Sequence, residues 1–195
     1  MKKLGTKFVV IIVLAIIALL VFGAYNGLVK SDEEVKSQWG NVQTQYQRRA
    51  NLIPNLVETV KGYATHEQET LEGVIEARAK ATQITIDPTQ LTAEKLQEYQ
   101  KAQGEITSAL GKILALREAY PDLKANQNFL ELQQQLESTE NRISTEITRF
   151  NEMAKEYNVK IRKVQNVIIA RICGFEQKPY FEAQQDADIA PKVQF

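Results

Sequence analysis

Fifteen consecutive apolar residues occupy positions 8–22 (FVVIIVLAIIALLVF), and no other feature restricts the fold of this chain as severely. As a helix they span about 22 Å, short of the ~30 Å hydrocarbon core of a bilayer. Residues 23–29 carry no charge and lengthen the stretch to 22 residues, or about 33 Å. A single segment satisfies its own backbone in lipid only as a helix. The stretch therefore predicts a membrane anchor carried by Phe8, Ile12, Ile16, Leu20 and Phe22, with Tyr25 at the level where an interface favours a ring with a polar tip. A cleaved signal peptide is the rival reading, since Lys2-Lys3, an apolar core and small residues at its exit also fit that pattern. The best cleavage point would follow Gly23, with Val21 at −3, but Phe22 and Tyr25 flank it poorly, so the retained anchor is preferred.

Charge sets the expected orientation. Residues 1–29 hold Lys2, Lys3 and Lys7 and no acid, leaving 21 of the 24 basic side chains against all 24 acidic ones, a net of −3 for the remainder. By the positive-inside bias the N-terminus stays in the cytoplasm. The expected location is a single pass through the inner (cytoplasmic) membrane. The rest of the chain is then extracytoplasmic, or periplasmic where an outer membrane exists. A net-acidic domain with interspersed charges also argues against nucleic acid as a partner. Cys173 is the only cysteine, so no intramolecular disulfide exists. A small buried residue near a helix end is its expected role.

Beyond Val29 apolar residues recur at helical spacing. One stripe reads Val35, Trp39, Val42, Tyr46, Ala50, Ile53, Leu56, Val60 and Ala64, then Leu71, Val74 and Arg78. Nothing near Val29 stops a helix, so the anchor is expected to run directly into it. Pro54 removes a backbone donor and crowds the carbonyl of Ala50, which predicts a kink. Residues 82–91 break the pattern, with Asp87 or Thr92 as the next cap. A second stripe follows Leu96, Tyr99, Gln103, Ile106, Leu110 and Ile113. Gly104 and Gly111 lie in it and are read as points where a neighbouring helix approaches closely. The third stripe is the longest: Phe129, Leu132, Leu136, Thr139, Ile143, Ile147, Phe150, Ala154, Tyr157, Ile161, Val164 and Ile168, all assigned to a core. Gly174 suits a helix terminator, and the tail after it, with two prolines, reads as extended over the surface.

The expected fold is therefore all-α. A transmembrane helix continues into an antiparallel long-helix bundle of three long helices plus a possible short fourth, ending in an extended tail. Its divisions are 1–29 (basic tip and anchor), 30–175 (bundle) and 176–195 (tail).

Chemistry is sparse. His66-Glu67 begins like a zinc-protease HExxH, but Thr70 stands where the second histidine must be. No cofactor or metal is expected, and acid clusters such as Glu67, Glu69 and Glu72 read as a solvated helix face. Arg48-Arg49 is different, because adjacent cations point about 100° apart on a helix and one must flank the core stripe. A salt bridge to Glu140 or Glu137 competes with a contact between subunits. Trp39 lies roughly 15 Å beyond Val29, too far for the interfacial belt. It is read as buried against protein, with a second copy favoured over its own bundle.

The run of residues 48–64 (RRANLIPNLVETVKGYA), followed by His66-Glu67, resembles the signature of the LemA family. The resemblance continues in Tyr25-Asn26, Trp39, residues 115–126 (ALREAYPDLKAN), Phe129, Tyr157-Asn158, Gly174-Phe175 and Tyr180-Phe181. It implies a membrane-anchored antiparallel bundle in a bacterial envelope and no settled biochemical activity. Genes of the family often neighbour membrane-linked metallopeptidases, which suggests membrane quality control. Phe150 departs from the family pattern, and Val164-Gln165 replaces its usual Phe-Pro. That leaves two outcomes open, an unbroken last helix to Cys173 or a short fourth helix.

Two functions follow, with a lipid bilayer as partner in both. The first is a scaffold that self-associates as a homo-oligomer. The second is an adaptor or sensor presenting the bundle to another envelope protein, such as a membrane protease. Trp39, Arg48, Arg49, Pro54, Glu58, Tyr63, Gly104 and Gly111 are the candidate interaction residues.

Overall fold

The computed structural model describes residues 2–182, with side chains from residue 7 onward. The side chains of Lys2 and Lys3 and the tail from residue 183 lie outside the described residues.

One helix, α1 (Lys2–Lys61), contains both anchor and bundle. Its 60 residues make a rod of about 90 Å. The large apolar side chains of positions 8–22 are all exposed, and none of the most apolar stretch is buried inside the protein. From Leu28 onward the same helix is clad by its neighbours. The expectation of a continuous anchor-to-bundle helix therefore holds.

The other elements are α2 (Gln68–Gln83), a 3-10 turn (Pro88–Gln90), α3 (Ala93–Leu116), a single turn α4 (Pro121–Lys124), α5 (Gln127–Arg162) and α6 (Val164–Ile172). The described residues form no strand. Side-chain pairs set the directions. Trp39 meets Phe150 and Arg49 meets Glu140, so α1 and α5 are antiparallel. Arg78 reaches back to Ala50, so α2 descends along α1. Tyr120 meets Glu67, which closes α3 against the start of α2.

The first stripe thus divides between two helices. The chain reverses at residues 62–67, where the amides of Tyr63 and Ala64 both donate to the Val60 carbonyl at 2.9 and 2.8 Å. The step of seven from Ala64 to Leu71 hid this turn, because two helical turns return the stripe to almost the same phase. Later boundaries follow local chemistry. Asp87 caps the 3-10 turn, Thr92 caps α3, and Asn126 caps α5 by accepting from the Phe129 amide. Gly174 has φ +74°, the left-handed terminator expected of it.

The last long helix does break, at Lys163, without a proline. Lys163 is extended (ψ 139°), and Asn166 Nδ2 donates to the Lys160 carbonyl at 2.9 Å, taking the place of a lost helical donor. This settles the open choice in favour of a short final helix. It also ends the third core stripe at Ile161, since Val164 and Ile168 are exposed. Cys173, expected to be buried, is exposed as well.

The core forms two apolar clusters. The one nearer the anchor gathers Leu28, Val35, Trp39, Tyr46, Tyr99, Phe150, Tyr157 and Phe181. The distal one gathers Ile53, Leu56, Val60, Val74, Ile106, Ile113, Phe129 and Leu136.

Pro54 sits on the exposed side of α1, and the helix passes through it unbroken. Its missing N–H frees the Ala50 carbonyl, and Arg78 Nε donates to that oxygen at 2.8 Å. An α2 side chain therefore completes an α1 backbone ladder. Pro54→Ala should leave a cooperative fold, because the new amide supplies the intrahelical bond. Arg78→Met should cost about 1–3 kcal/mol in the Pro54 parent, where a buried carbonyl loses its partner. Denaturant unfolding should show a smaller cost in the Pro54→Ala background.

Candidate functional site

Arg48 and Arg49 are adjacent and have opposite fates. Helical rotation turns Arg49 into the bundle, where it is 1% exposed, and leaves Arg48 in solvent. Arg49 Nη1 donates to Glu140 Oε1 at 2.8 Å and to Thr107 Oγ1 at 2.9 Å. Its Nη2 donates to the Gln103 carbonyl at 2.9 Å and to Gln103 Oε1 at 2.6 Å. Its guanidinium also lies over the Tyr46 ring, 5.1 Å from the centroid. The expected salt bridge to Glu140 is thus present, and the rival subunit contact does not apply to Arg49. Burial pushes the Tyr46 phenol up to about 12, against the pull of Arg49 and with a push from Glu140. The whole arrangement is a polar layer between the two apolar clusters.

Trp39 is fully buried within its own chain. Its Nε1 donates to the Ile86 carbonyl at 3.2 Å, and its ring centroid lies 5.3–6.0 Å from those of Tyr99, Phe150 and Phe181. This corrects the expectation of a contact with a second copy. The space that a membrane-proximal tryptophan needs is supplied by α3, α5 and the returning tail.

Sequence reasoning missed how that tail docks. Asn151 and Asn158 on α5 each grip one backbone position of it. Asn158 Oδ1 accepts from the Lys178 amide and its Nδ2 donates to the Lys178 carbonyl, both at 2.8 Å. Asn151 does the same for Phe181 at 2.9 and 3.0 Å. Seven helical residues rise about 10.5 Å and three extended residues about 10 Å, so two asparagines one heptad apart match tail positions three apart. The tail is extended as expected, and these bonds fasten it to α5 so that Phe181, 6% exposed, enters the core while Glu176, Gln177 and Tyr180 stay at the surface. Two asparagines seven apart beside the third stripe were the available signal.

At the foot of the bundle Lys160 Nζ donates to the Gly27 carbonyl at 2.6 Å and to Ser31 Oγ at 2.8 Å. Asp32 receives Lys178 and Lys36, each at 2.7 Å. Burial pushes the Asp32 carboxyl up, but the hydrogen bonds and charges of Lys178 and Lys36 outweigh it and hold the group below its ordinary value.

The remaining candidates scatter. Arg48 lies on an open groove of about 650 Å³ with Thr44, Gln47, Asn51 and Leu52 of α1 and Thr82 of α2. Glu58 and Tyr63 are exposed near the far end, where Tyr63 Oη accepts from Asn126 Nδ2 at 2.8 Å. A Cβ added at Gly104 or Gly111 would meet nothing within 4 Å, so neither glycine accommodates a neighbouring helix of the same chain. His66 is exposed, and no group of three or more potential metal ligands converges among the described residues.

An exposed apolar helix long enough to cross a bilayer, continuous with a helical bundle, defines a membrane-associated helical protein. The profile of the LemA family matches residues 38–195, and the chain belongs to that family. It is 25% identical over 175 residues to Protein LemA of Metamycoplasma hominis, covering 90% of this chain and 76% of the relative. It is 26% identical over 196 residues to Magnetosome protein MamQ 2 of Paramagnetospirillum magneticum, covering 92% and 72%. Magnetosome protein MamQ of Magnetospirillum gryphiswaldense is similar at 26% over 189 residues, covering 87% and 70%.

Trp39→Ala should destabilise the bundle by about 3–5 kcal/mol, as for other large-to-small changes in cores. The loss in melting temperature should not depend on protein concentration, because the ring packs within one chain. A loss that grows on dilution would return Trp39 to an interface.

Proposed function

We propose that this chain is a membrane-anchored, extracytoplasmic bundle scaffold that works by binding and self-associates in the plane of the membrane. The stiffness of the join between anchor and bundle carries the reading. The helix Lys7–Lys61 runs from lipid-ready surface to packed core with no linker, and Lys160 and Lys178 brace it at Gly27, Ser31 and Asp32. A bundle on a flexible tether samples many tilts. On a stiff post every copy stands at one height and a similar tilt, so copies confined to one bilayer lose less orientational freedom when they meet. The buried Arg49 and the half-buried Asp32 are engaged in holding the fold together, which supports a binding protein over an enzyme. The lysines before the span support an N-terminus in the cytoplasm.

The groove beside Arg48 favours the second reading, an adaptor that receives a segment of another envelope protein. An exposed arginine next to apolar Leu52 suits a segment carrying an acidic side chain beside an apolar one.

Counting copies of full-length protein per particle across a range of lipid densities tests the scaffold. Clusters that grow with density are expected, and a strict monomer at every density overturns self-association. Crosslinks placed at Arg48 that capture another envelope protein and never a second copy would establish the adaptor instead. Orientation is tested separately by a reporter that works only in the cytoplasm, fused after Phe195. It should stay silent, and activity there would reverse the topology.

A further inference from the structure

The final helix, α6 (Val164–Ile172), turns one side to the bundle and leaves an apolar side uncovered. Asn166 and Ala170 are buried against α1 and α5. Val164, Ile168 and Ile172, four residues apart along one stripe, are 89%, 67% and 78% exposed, with Val167 beside them at 38%. Elsewhere in the bundle, large apolar side chains as exposed as these do not line up in such a stripe. An exposed apolar stripe of this kind marks a contact surface.

Its place in the fold identifies the occupant. The gap beside α6 is walled by Leu20, Gly23 and Gly27 of α1 and by Gln165 and Ile169 of α6. The helix therefore lies at the level where the bare anchor ends. Its start follows Lys160, bonded to Gly27, and its end leads to Phe175, whose ring centroid is 5.9 Å from that of Tyr25. Nine helical residues rise about 13 Å. A helix whose two flanking residues, Lys160 and Phe175, both meet α1 at residues 25–27 runs across the post rather than down it. Charge agrees: residues 157–175 contain Lys160, Arg162, Lys163 and Arg171 and no acid. Arg162, Lys163 and Arg171 are exposed and make no ion pair among the described residues.

We propose that α6 is a second membrane contact, an interfacial helix whose Val164–Ile168–Ile172 stripe enters the boundary between headgroups and acyl chains while its flanking cations meet phospholipid phosphates. The inference rests on the anchor reading of α1. It gives the bundle two points of attachment to one bilayer, the transmembrane post and a transverse foot. Together they set which side of the bundle faces the bilayer, where a stiff post alone limits tilt and leaves the bundle free to turn about the helix axis. Apolar burial combined with cationic flanks is the recognised chemistry of helices lying in an interface. The short length of α6, marginal for an isolated helix, is offset by its attachment to α1 at both ends.

Full-length protein in vesicles of mixed zwitterionic and acidic phospholipid tests this. In a Cys173→Ser background, single spin labels at Ile168→Cys, Ile16→Cys and Ser144→Cys are compared for collision with oxygen and with an aqueous nickel chelate. The Ile168 label is expected to lose chelate accessibility and gain oxygen accessibility, as the Ile16 label does, while the Ser144 label keeps the aqueous pattern. An Ile168 label as chelate-accessible as that at Ser144, with Ile16 protected, overturns the foot and leaves the anchor intact. A chelate-accessible Ile16 label overturns the anchor and the foot together. Protection at Ile168 that vanishes on diluting the protein in lipid assigns the stripe to a second copy and overturns the lipid contact. A label at Val164→Cys repeats the measurement one turn away, so distortion at a single site cannot decide the outcome.

Discussion

A charged guanidinium closed inside a helical bundle fixes the alignment of everything around it. Arg49 draws on α3 through Gln103 and Thr107 and on α5 through Glu140, so three helices meet at one level. Burying a charge is costly, and its net contribution to stability is small. Its effect on register is large, because a slip of one turn, about 5.4 Å, would strand the cation without acceptors. The other contacts follow from that alignment. Ten residues nearer the anchor than Arg49 is Trp39, and ten residues beyond Glu140 is Phe150, which Trp39 meets. Farther down, Gly27 meets Lys160. The polar layer also separates an aromatic cluster near the membrane from an aliphatic one at the far end.

The aromatic cluster makes the lower half rigid. Phe181 joins Trp39 and Phe150 only because Asn151 and Asn158 hold the tail backbone in place. A side-chain amide offers the same donor and acceptor as a strand neighbour, so two of them fasten an extended segment where no sheet exists. Lys178 then reaches Asp32 on α1. The C-terminal part of the chain thus ties down the segment of α1 that leaves the membrane.

What remains free is the outside. Arg48, one residue from the structural cation, faces an open groove, and α6 turns an apolar stripe outward at the level of the bilayer surface. These two surfaces stand at different heights on one bundle. A chain that binds with one while attached through the other holds its partner at a set distance and angle from the membrane.

Much of this was legible in the residues. The fifteen apolar positions dictated an exposed apolar helix long enough to cross a bilayer, and threefold-fourfold spacing dictated long helices. Caps at Asp87 and Thr92 acted through neighbours two or three residues away, as local hydrogen bonds do. Other features escaped the spacing pattern, some of them local and some set by residues far apart in the chain. The turn at residues 62–67 was hidden by phase, and the break at Lys163 turns on Asn166 reaching back to Lys160. Trp39 needed a buried site, but only the fold decided that Tyr99, Phe150 and Phe181 would provide it within one chain. Periodicity says which face of a helix avoids water. It does not say what covers that face, because that depends on partners brought from more than a hundred residues away.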